Sequence, residues 1–201
     1  MKLRVGNQLP LERCPHCRVA TPTLSLTGLT NHQSTDHAGG IIGYWSTFKC
    51  ATCGKFVLVK SNVSNGEVQA MYPDREIINP EIPGKASVYL QQALDSLQAP
   101  SGCVMLCASS VDWMLKEKGY KSGSLNDRIN QAAIDHKITE DMAKWAHQVR
   151  LDANDERHAD ETATMPTPAQ AAQSLEFAMA LGQFLFVLPS RVTRGIASSK
   201  P

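Results

Sequence analysis

Several familiar signals are missing from this sequence, and each absence removes a class of protein. The N-terminus, MKLRVGNQLPLERC, has no apolar core segment of the kind a secretory leader carries, so export is not expected. The longest apolar run, FAMALGQFLFVL at 177–188, falls short of the roughly 20 residues needed to cross a bilayer, and it meets Pro189. No glycine-rich phosphate loop and no internal repeat is present. Charge of one sign is not in excess either: 20 Lys/Arg face 19 Asp/Glu. The expectation is a soluble, cytoplasmic protein with no membrane partner.

What is present is ordinary in bulk and uneven in detail. A chain of 201 residues can bury one good core, or one core and a small satellite. Apolar residues make up 42% and charged residues 19%, as in typical globular proteins. Residues 1–70 hold seven Lys/Arg against three Asp/Glu, whereas residues 71–201 hold thirteen against sixteen. Neither part is basic enough to assign nucleic-acid binding, but the first is electrostatically the better candidate.

The six cysteines divide the chain. Cys14 and Cys17 form CPHC, and Cys50 and Cys53 form CATC. Each C-x-x-C turn points two thiolates at one ion, with backbone amides facing the sulfurs, and two such turns make a tetrahedral Cys₄ site. Gly54 suits the second turn, and GYWSTFKC and KFVLVK predict strands around it. Disulfides do not fit a chain without an export signal. A structural zinc held by Cys14, Cys17, Cys50 and Cys53 is therefore expected, closed to catalysis. The stretch NHQSTDHAGG at 31–40 predicts an inserted loop, whose His32 and His37 read as loop histidines with no metal role, replacement of a cysteine ligand being the alternative. Cys103 and Cys107 stand at i, i+4 with Val111 and Met114 on the same face, a buried core stripe rather than a metal site.

Punctuation sets out the remaining organisation: a ribbon over 1–70, an extended proline-rich strap over 71–85, a helical bundle over 86–190, and a disordered tail over 191–201. Asn65-Gly66 predicts a hairpin turn. Prolines 73, 80 and 83 exclude helix from the strap. Helices are expected over 86–98, 101–118, about 124–136, 139–158 and 168–188. Their ends are marked by Pro100, Gly119, Ser124 with Asp127, Thr139 and Pro168. The fifth has an apolar face broad enough to be central in the bundle.

Within the fourth helix lies VRLDANDERH. Arg150, Asn154 and His158 fall at i, i+4 and i+8, a single stripe that advances about 40° per step. A histidine near neutral pKa can move a proton, an arginine can clamp phosphoryl oxygens, and an asparagine can orient either. The span is long, however: the Cα atoms of Arg150 and His158 lie roughly 12 Å apart along the axis. Asp152, Asp155, Glu156, Asp160 and Glu161 crowd the segment and would repel phosphate unless paired or facing away. Asp152, Asp155 and Glu156 with His158 are also a candidate Mg²⁺ cluster. A structural reading stands beside these, with Arg150 buried against a carboxylate and His158 bonded to backbone near Thr162. Trp113 and Trp145 are expected to pack in the bundle rather than stack on bases. His136 and His147 have no partner identifiable from sequence.

The order of motifs carries a resemblance. Two cysteine knuckles are followed by Tyr72-Pro73 and the proline strap, then SVYLQQAL, a helix ending KEKGY, SLNDRI, and VR-x-x-x-N-x-x-x-H. Over roughly residues 10–188 this resembles the domain-of-unknown-function 4145 family, a bacterial and phage group placed in the HEPN superfamily. In that family the last motif carries glycine where Ala153 stands here. The resemblance implies a mainly α fold, an HEPN-like bundle of about five helices with a small N-terminal β zinc ribbon. It implies a module that binds RNA or another nucleic acid, or a partner protein, in a defence or stress setting without its own catalysis. The alternative it implies is a metal-independent endoribonuclease using Arg150, Asn154 and His158. A homodimer is implied in either case.

Overall fold

The computed structural model describes residues 3–75, 77–158 and 164–198, without the side chains of Arg157 and His158. It contains a small antiparallel sheet followed by five helices, the last of them interrupted by a π turn. Two compact units divide at Glu76/Ile77, inside the expected strap.

The first unit is built on one long strand. The strands are β1 (Leu24–Leu26), β2 (His32–Thr35), β3 (Ile41–Cys50), β4 (Phe56–Ser61) and β5 (Val68–Tyr72). β3 pairs with β4 along one edge, and β4 pairs in turn with β5. β1 and β2 share the other edge of β3, β2 near its start and β1 near its end. Period-2 alternation sends Ser46, Phe48 and Cys50 of β3 and Val57, Val59 and Ser61 of β4 inward, where all are buried. Leu9, Leu11, Leu24 and Met71 complete this core. Gly43, with φ +151°, cannot be replaced cheaply: a Cβ there would stand 2.9 Å from the Ser61 carbonyl.

The stretch 31–40 is not a loose insertion. His32–Thr35 pairs with β3 as a hairpin, with Ile42 as an extra, bulged residue. Asp36 makes the turn, its carboxylate accepting from the amides of Ala38 and Gly40. The expected Asn65-Gly66 hairpin is present between β4 and β5, although Asn65 rather than Gly66 takes the left-handed backbone, with φ +53°. Asn65 and Asn31 bond reciprocally across the unit, at 2.7 and 2.9 Å.

The second unit comprises α1 (Gly84–Asp95), α2 (Pro100–Glu117), α3 (Leu125–Ile134), α4 (Glu140–His158) and α5 (Pro168–Gly182). α5 runs through a π turn (Gln183–Val187) into α6 (Leu188–Ser198). The expected punctuation is where the helices end. Ser124 with Asp127 forms a capping box, Thr139 accepts from the Met142 amide, and Pro168 stands in the first turn of α5, where Thr167 with Gln170 adds an unforeseen capping box. Gly119, with φ +103°, ends α2, and the Tyr120 amide reaches back to the Leu115 carbonyl. The centre of the unit is α2 rather than the last helix, since α1, α3, α4 and α5 all pack on it. Its Cys103, Cys107, Val111 and Met114 are fully buried. Of the strap, Ile78 and Ile82 are anchored in this core, so it is no free linker on that side.

Two expectations for the C-terminus are corrected. Residues 191–198 are helical, not a disordered tail. Pro189 does not stop the helix, because the preceding turn widens to π geometry. There the Leu188 amide bonds to the Gln183 carbonyl, which opens room for a ring with no N–H to give. Pro168–Ser198 is consequently long and apolar enough to cross a membrane, but 56% of its apolar window is buried inside the protein, as in a core helix.

Candidate functional site

The four N-terminal cysteines come together as a candidate metal centre. Their sulfurs all lie within 4.8 Å of one another, with Cys14 and Cys53 at 4.0 Å. A tetrahedron with metal–sulfur bonds of about 2.3 Å has edges of roughly 3.8 Å, so a small contraction would complete it. The two turns are built alike. The Arg18 amide donates to the Cys14 carbonyl at 3.0 Å and the Gly54 amide to the Cys50 carbonyl at 2.9 Å. Cys14 N–H donates to Val19, and Cys50 N–H to Lys55, each at 3.0 Å. The residue after each second cysteine is left-handed, Arg18 at φ +60° and Gly54 at +71°. Glycine takes that backbone freely, whereas Arg18 does so against its steric preference.

Backbone amides face the sulfurs, as the spacing predicts. At Cys50 burial works upward on the thiol, but the amides of Cys53 and Thr52 and the thiols of Cys14 and Cys53 together outweigh it and bring the pKa down to about 7. Burial pushes Cys17 up to about 12. The group can hold a metal ion, and no histidine or carboxylate among the described residues joins it. His32 lies exposed in β2 and His37 exposed in its turn, so neither is a ligand. Cys103 and Cys107 are buried thiols of α2, with Cys103 donating weakly to the Ala171 carbonyl at 3.7 Å. The neighbouring Cys103 thiol and burial push Cys107 upward.

The second candidate site is a cleft of about 470 Å³ in the helical unit. Tyr89 of α1, Ala108, Ser109, Asp112 and Trp113 of α2, Ser124 with Leu125, Asn126 and Arg128 of α3, and Arg150, Ala153 and Asn154 of α4 line it. Three of the motifs quoted above thus converge: SVYLQQAL through Tyr89, SLNDRI through four of its residues, and VR-x-x-x-N through Arg150 and Asn154. Ala153 is 2% exposed, so a small residue at this position keeps the cleft open.

The two arginines of the cleft differ. Arg128 is committed: its Nη1 donates to Asp112 Oδ1 at 2.6 Å, and its Nη2 reaches the Lys121 carbonyl at 3.4 Å. Arg150 is half-buried and has no carboxylate partner among the described residues; its buried Nε, like that of Arg128, has no acceptor there. Asp160 and Glu161, which could answer the expected burial of Arg150 against a carboxylate, lie outside the described residues. Positive charge gathers here despite the acidic balance of this unit. Lys85 and Lys116 lie over the Trp113 ring at 4.7 and 5.1 Å, and Asp112 bonds both Lys116 and Arg128. Trp113 packs on the core and lines the cleft as well. Trp145 stacks on Phe177 at 5.0 Å, as expected of a packing residue.

The carboxylates of α4 face elsewhere. Asp152, Asp155 and Glu156 line a separate cleft with Thr164, Pro166 and Gln170, and Asp152 accepts from Gln148 at 2.7 Å. Among the described residues they do not gather into a group of three that could hold an ion, and the side chain of His158, the remaining member of the expected Mg²⁺ cluster, lies outside those residues. The position of Thr162 lies outside them as well. Sequence reasoning missed His147, one turn before Arg150. It hydrogen-bonds Asn130 of α3 at 3.0 Å, and burial and then the Arg150 charge hold its pKa below the usual histidine range. Only the i, i+3 spacing to Arg150 could have flagged it.

No curated protein and no solved structure matches this chain. A family model does: that of the domain of unknown function DUF4145, over residues 91–198, from within α1 to the end of the last helix. The four-cysteine unit lies outside that match, and the cleft residues from Ala108 to Asn154 lie inside it. The match covers more than half of the sequence, and the chain therefore belongs to the DUF4145 family.

Proposed function

We propose that this chain is a zinc-ribbon and HEPN-like module that binds nucleic acid through the cleft between α2, α3 and α4. It acts without catalysis of its own, in a bacterial or phage defence or stress setting. The observation that carries the reading is Arg150, a guanidinium lining an open cleft with no carboxylate partner among the described residues. A cation held half-buried without a carboxylate among the described residues is costly in a resting protein, and a phosphate supplies that charge. Asn126, Asn154 and Ser109 supply neutral hydrogen bonds beside it, and the acidic residues of α4 line a different cleft.

Zinc is the proposed occupant of the cysteine site. Four thiolates in a closed set suit zinc by softness and coordination number, and a closed set leaves no position for substrate. The metal thus acts as a staple for a small unit, and no reaction is assigned to it.

A second reading, a metal-independent endoribonuclease, is favoured by one fact: Arg150 and Asn154 share the cleft. In it Arg150 clamps the scissile phosphate and His158 moves the proton of the 2′-hydroxyl. A homodimer belongs to both readings. Phe184, Leu188, Val192 and Ile196 form an exposed apolar stripe at i, i+4 spacing along the last helix, available for self-association.

Binding of labelled single-stranded RNA, followed by anisotropy, should weaken at least tenfold in Arg150→Ala with the fold intact. Mixed RNA incubated with and without EDTA, beside His158→Ala, separates the two readings: cleavage that survives EDTA and dies with His158 selects the nuclease. Sedimentation over a concentration series reports the dimer. Absence of any RNA binding leaves a partner protein as the ligand and removes the cleft reading.

A further inference from the structure

The outer face of the sheet in the first unit has a pattern that neither the cysteine site nor the cleft uses. Cross-strand partners share a face, so the register sorts its residues into rows. One row holds His32, Trp45, Lys60 and Ala70, the next Thr47, Leu58 and Tyr72, and the third Ser25, Lys49 and Phe56. Each row carries one aromatic ring, and the outer two each carry a lysine. Rows are two residues apart along the strands, about 7 Å. Tyr72 is 54% exposed and Phe56 57% exposed, while the Trp45 and Tyr72 rings lie 6.1 Å apart and tilted by 32°. The Lys60 ammonium stands 6.0 Å from the Trp45 ring.

Burial in a core does not account for these rings. Of the five aromatics in residues 1–75, only Phe48 is buried, and three stand on this one face. The rows contain no carboxylate. Asp36, one of three acids in residues 1–70, is occupied by turn amides, and the balance of that segment is basic.

We propose that this face binds single-stranded nucleic acid, with bases stacked on Trp45, Tyr72 and Phe56 and the backbone neutralised by Lys49 and Lys60. Aromatic faces accept any base, and lysines at both ends of the ladder track a phosphate chain without reading sequence. Duplexes keep their bases stacked internally and cannot use such a ladder. The proposal rests on the nucleic-acid reading for its ligand class only; its surface is separate from the Arg150 cleft.

The test uses the full metal-loaded chain with Trp113→Phe and Trp145→Phe, which leaves Trp45 as the sole indole. Twelve-nucleotide oligo(U), oligo(dT) and a duplex of equal length are the probes. Both single strands should quench Trp45, and the duplex should not. Phe56→Ala and Tyr72→Ala remove exposed rings and should each weaken binding about 5- to 150-fold, the loss of one base stack. Replacing Lys49 and Lys60 by Ala should reduce the slope of log affinity against log salt by about 1.4, at roughly 0.7 per phosphate. Quenching that persists in Arg150→Ala supports the sheet independently of the cleft. Loss of all oligomer binding in Arg150→Ala, with Trp45 silent throughout, overturns the sheet proposal and leaves the cleft reading standing. No single-strand binding, equal duplex binding, or indifference to both ring deletions overturns it too, and a protein ligand for this face would give the first of these.

Discussion

Arg128 and Arg150 line the same cleft, and truncating each environment separates a structural arginine from one held for a ligand. Asp112→Ala removes the carboxylate that Arg128 grips at 2.6 Å, in a pair whose side chains are only 12% and 20% exposed. Breaking a fully buried pair costs about 3–5 kcal/mol, and an exposed pair is worth under about 1. These exposures lie nearer the buried end, and Arg128 would keep only a 3.4 Å bond to Lys121, so a loss of about 2–3 kcal/mol is expected. For a helical unit of this size that is a fall of roughly 6–15 °C in Tm, read by circular dichroism at the helical band. Arg150→Ala removes no ion pair found among the described residues and abolishes a buried Nε–H that has no acceptor there. Its Tm should move by less than about 2 °C, while affinity for single-stranded RNA falls about 10- to 150-fold, the worth of a charge-assisted hydrogen bond. An Arg150→Ala protein that melts as early as Asp112→Ala would show Arg150 to be part of the scaffold and would refute the cleft argument.

The purified chain should carry close to one zinc, and Cys50→Ala should lose it and expose residues 10–60 to protease while the helical signal stays; a metal-free chain equally protected there would count against the staple. Cys107→Ser should destabilise the bundle by about 1–3 kcal/mol, through a buried hydroxyl with poor partners, without changing metal content. His147 carries a pH signature. Its folded pKa is depressed, by burial first and then by Arg150, so the unfolded chain takes the proton first as pH falls through about 6.5. Stability should therefore decline below that pH until the folded pKa is passed, and His147→Gln should flatten the Tm profile between pH 7 and 5. An unchanged profile in that variant would mean other groups carry the decline.

Local rules were legible wherever the chain obeys them on its own. Two C-x-x-C turns, the Ser124 and Thr139 caps and the Gly119 stop are each settled within six residues, by hydrogen bonds that any context would reward. Failures came where a distant partner decided. The polar HQST segment looks like loop, yet β3 offers it an open edge, and pairing satisfies its backbone better than solvent does. Pro189 breaks a helix only if the turn before it stays α, and a π turn is invisible to a periodicity that assumes one pitch. The face of α2 was read correctly as core, but its place at the centre depends on which helices find it, and spacing within one helix does not encode that. Half of the cleft was visible in the Arg150 stripe. The other half comes from Asp112 and Arg128, sixteen residues apart, whose ion pair forms only once α3 packs on α2.

The charge count points in two directions once it is placed in space. By totals the helical part is acidic and the cysteine part basic, so the latter was the better place to look for a polyanion. Totals decide long-range steering, because beyond a Debye length of about 8 Å only net fields survive. Contact is decided by what faces the ligand. On α4 the carboxylates and Arg150 are segregated by helix geometry: Asp152 and Arg150 are two positions apart, which at about 100° per residue puts them nearly on opposite sides. On the proposed readings the helical unit repels a polyanion at a distance and still holds a phosphate at the cleft, whereas the sheet face attracts at both ranges. If both surfaces serve one strand, capture should begin at the sheet and be completed at the cleft. In stopped-flow mixing, Lys49→Ala with Lys60→Ala should then lower the association rate and its salt dependence, and Arg150→Ala should raise the dissociation rate with association nearly unchanged. The reverse assignment of rates would show that the net charge of each unit does not govern the order of contact.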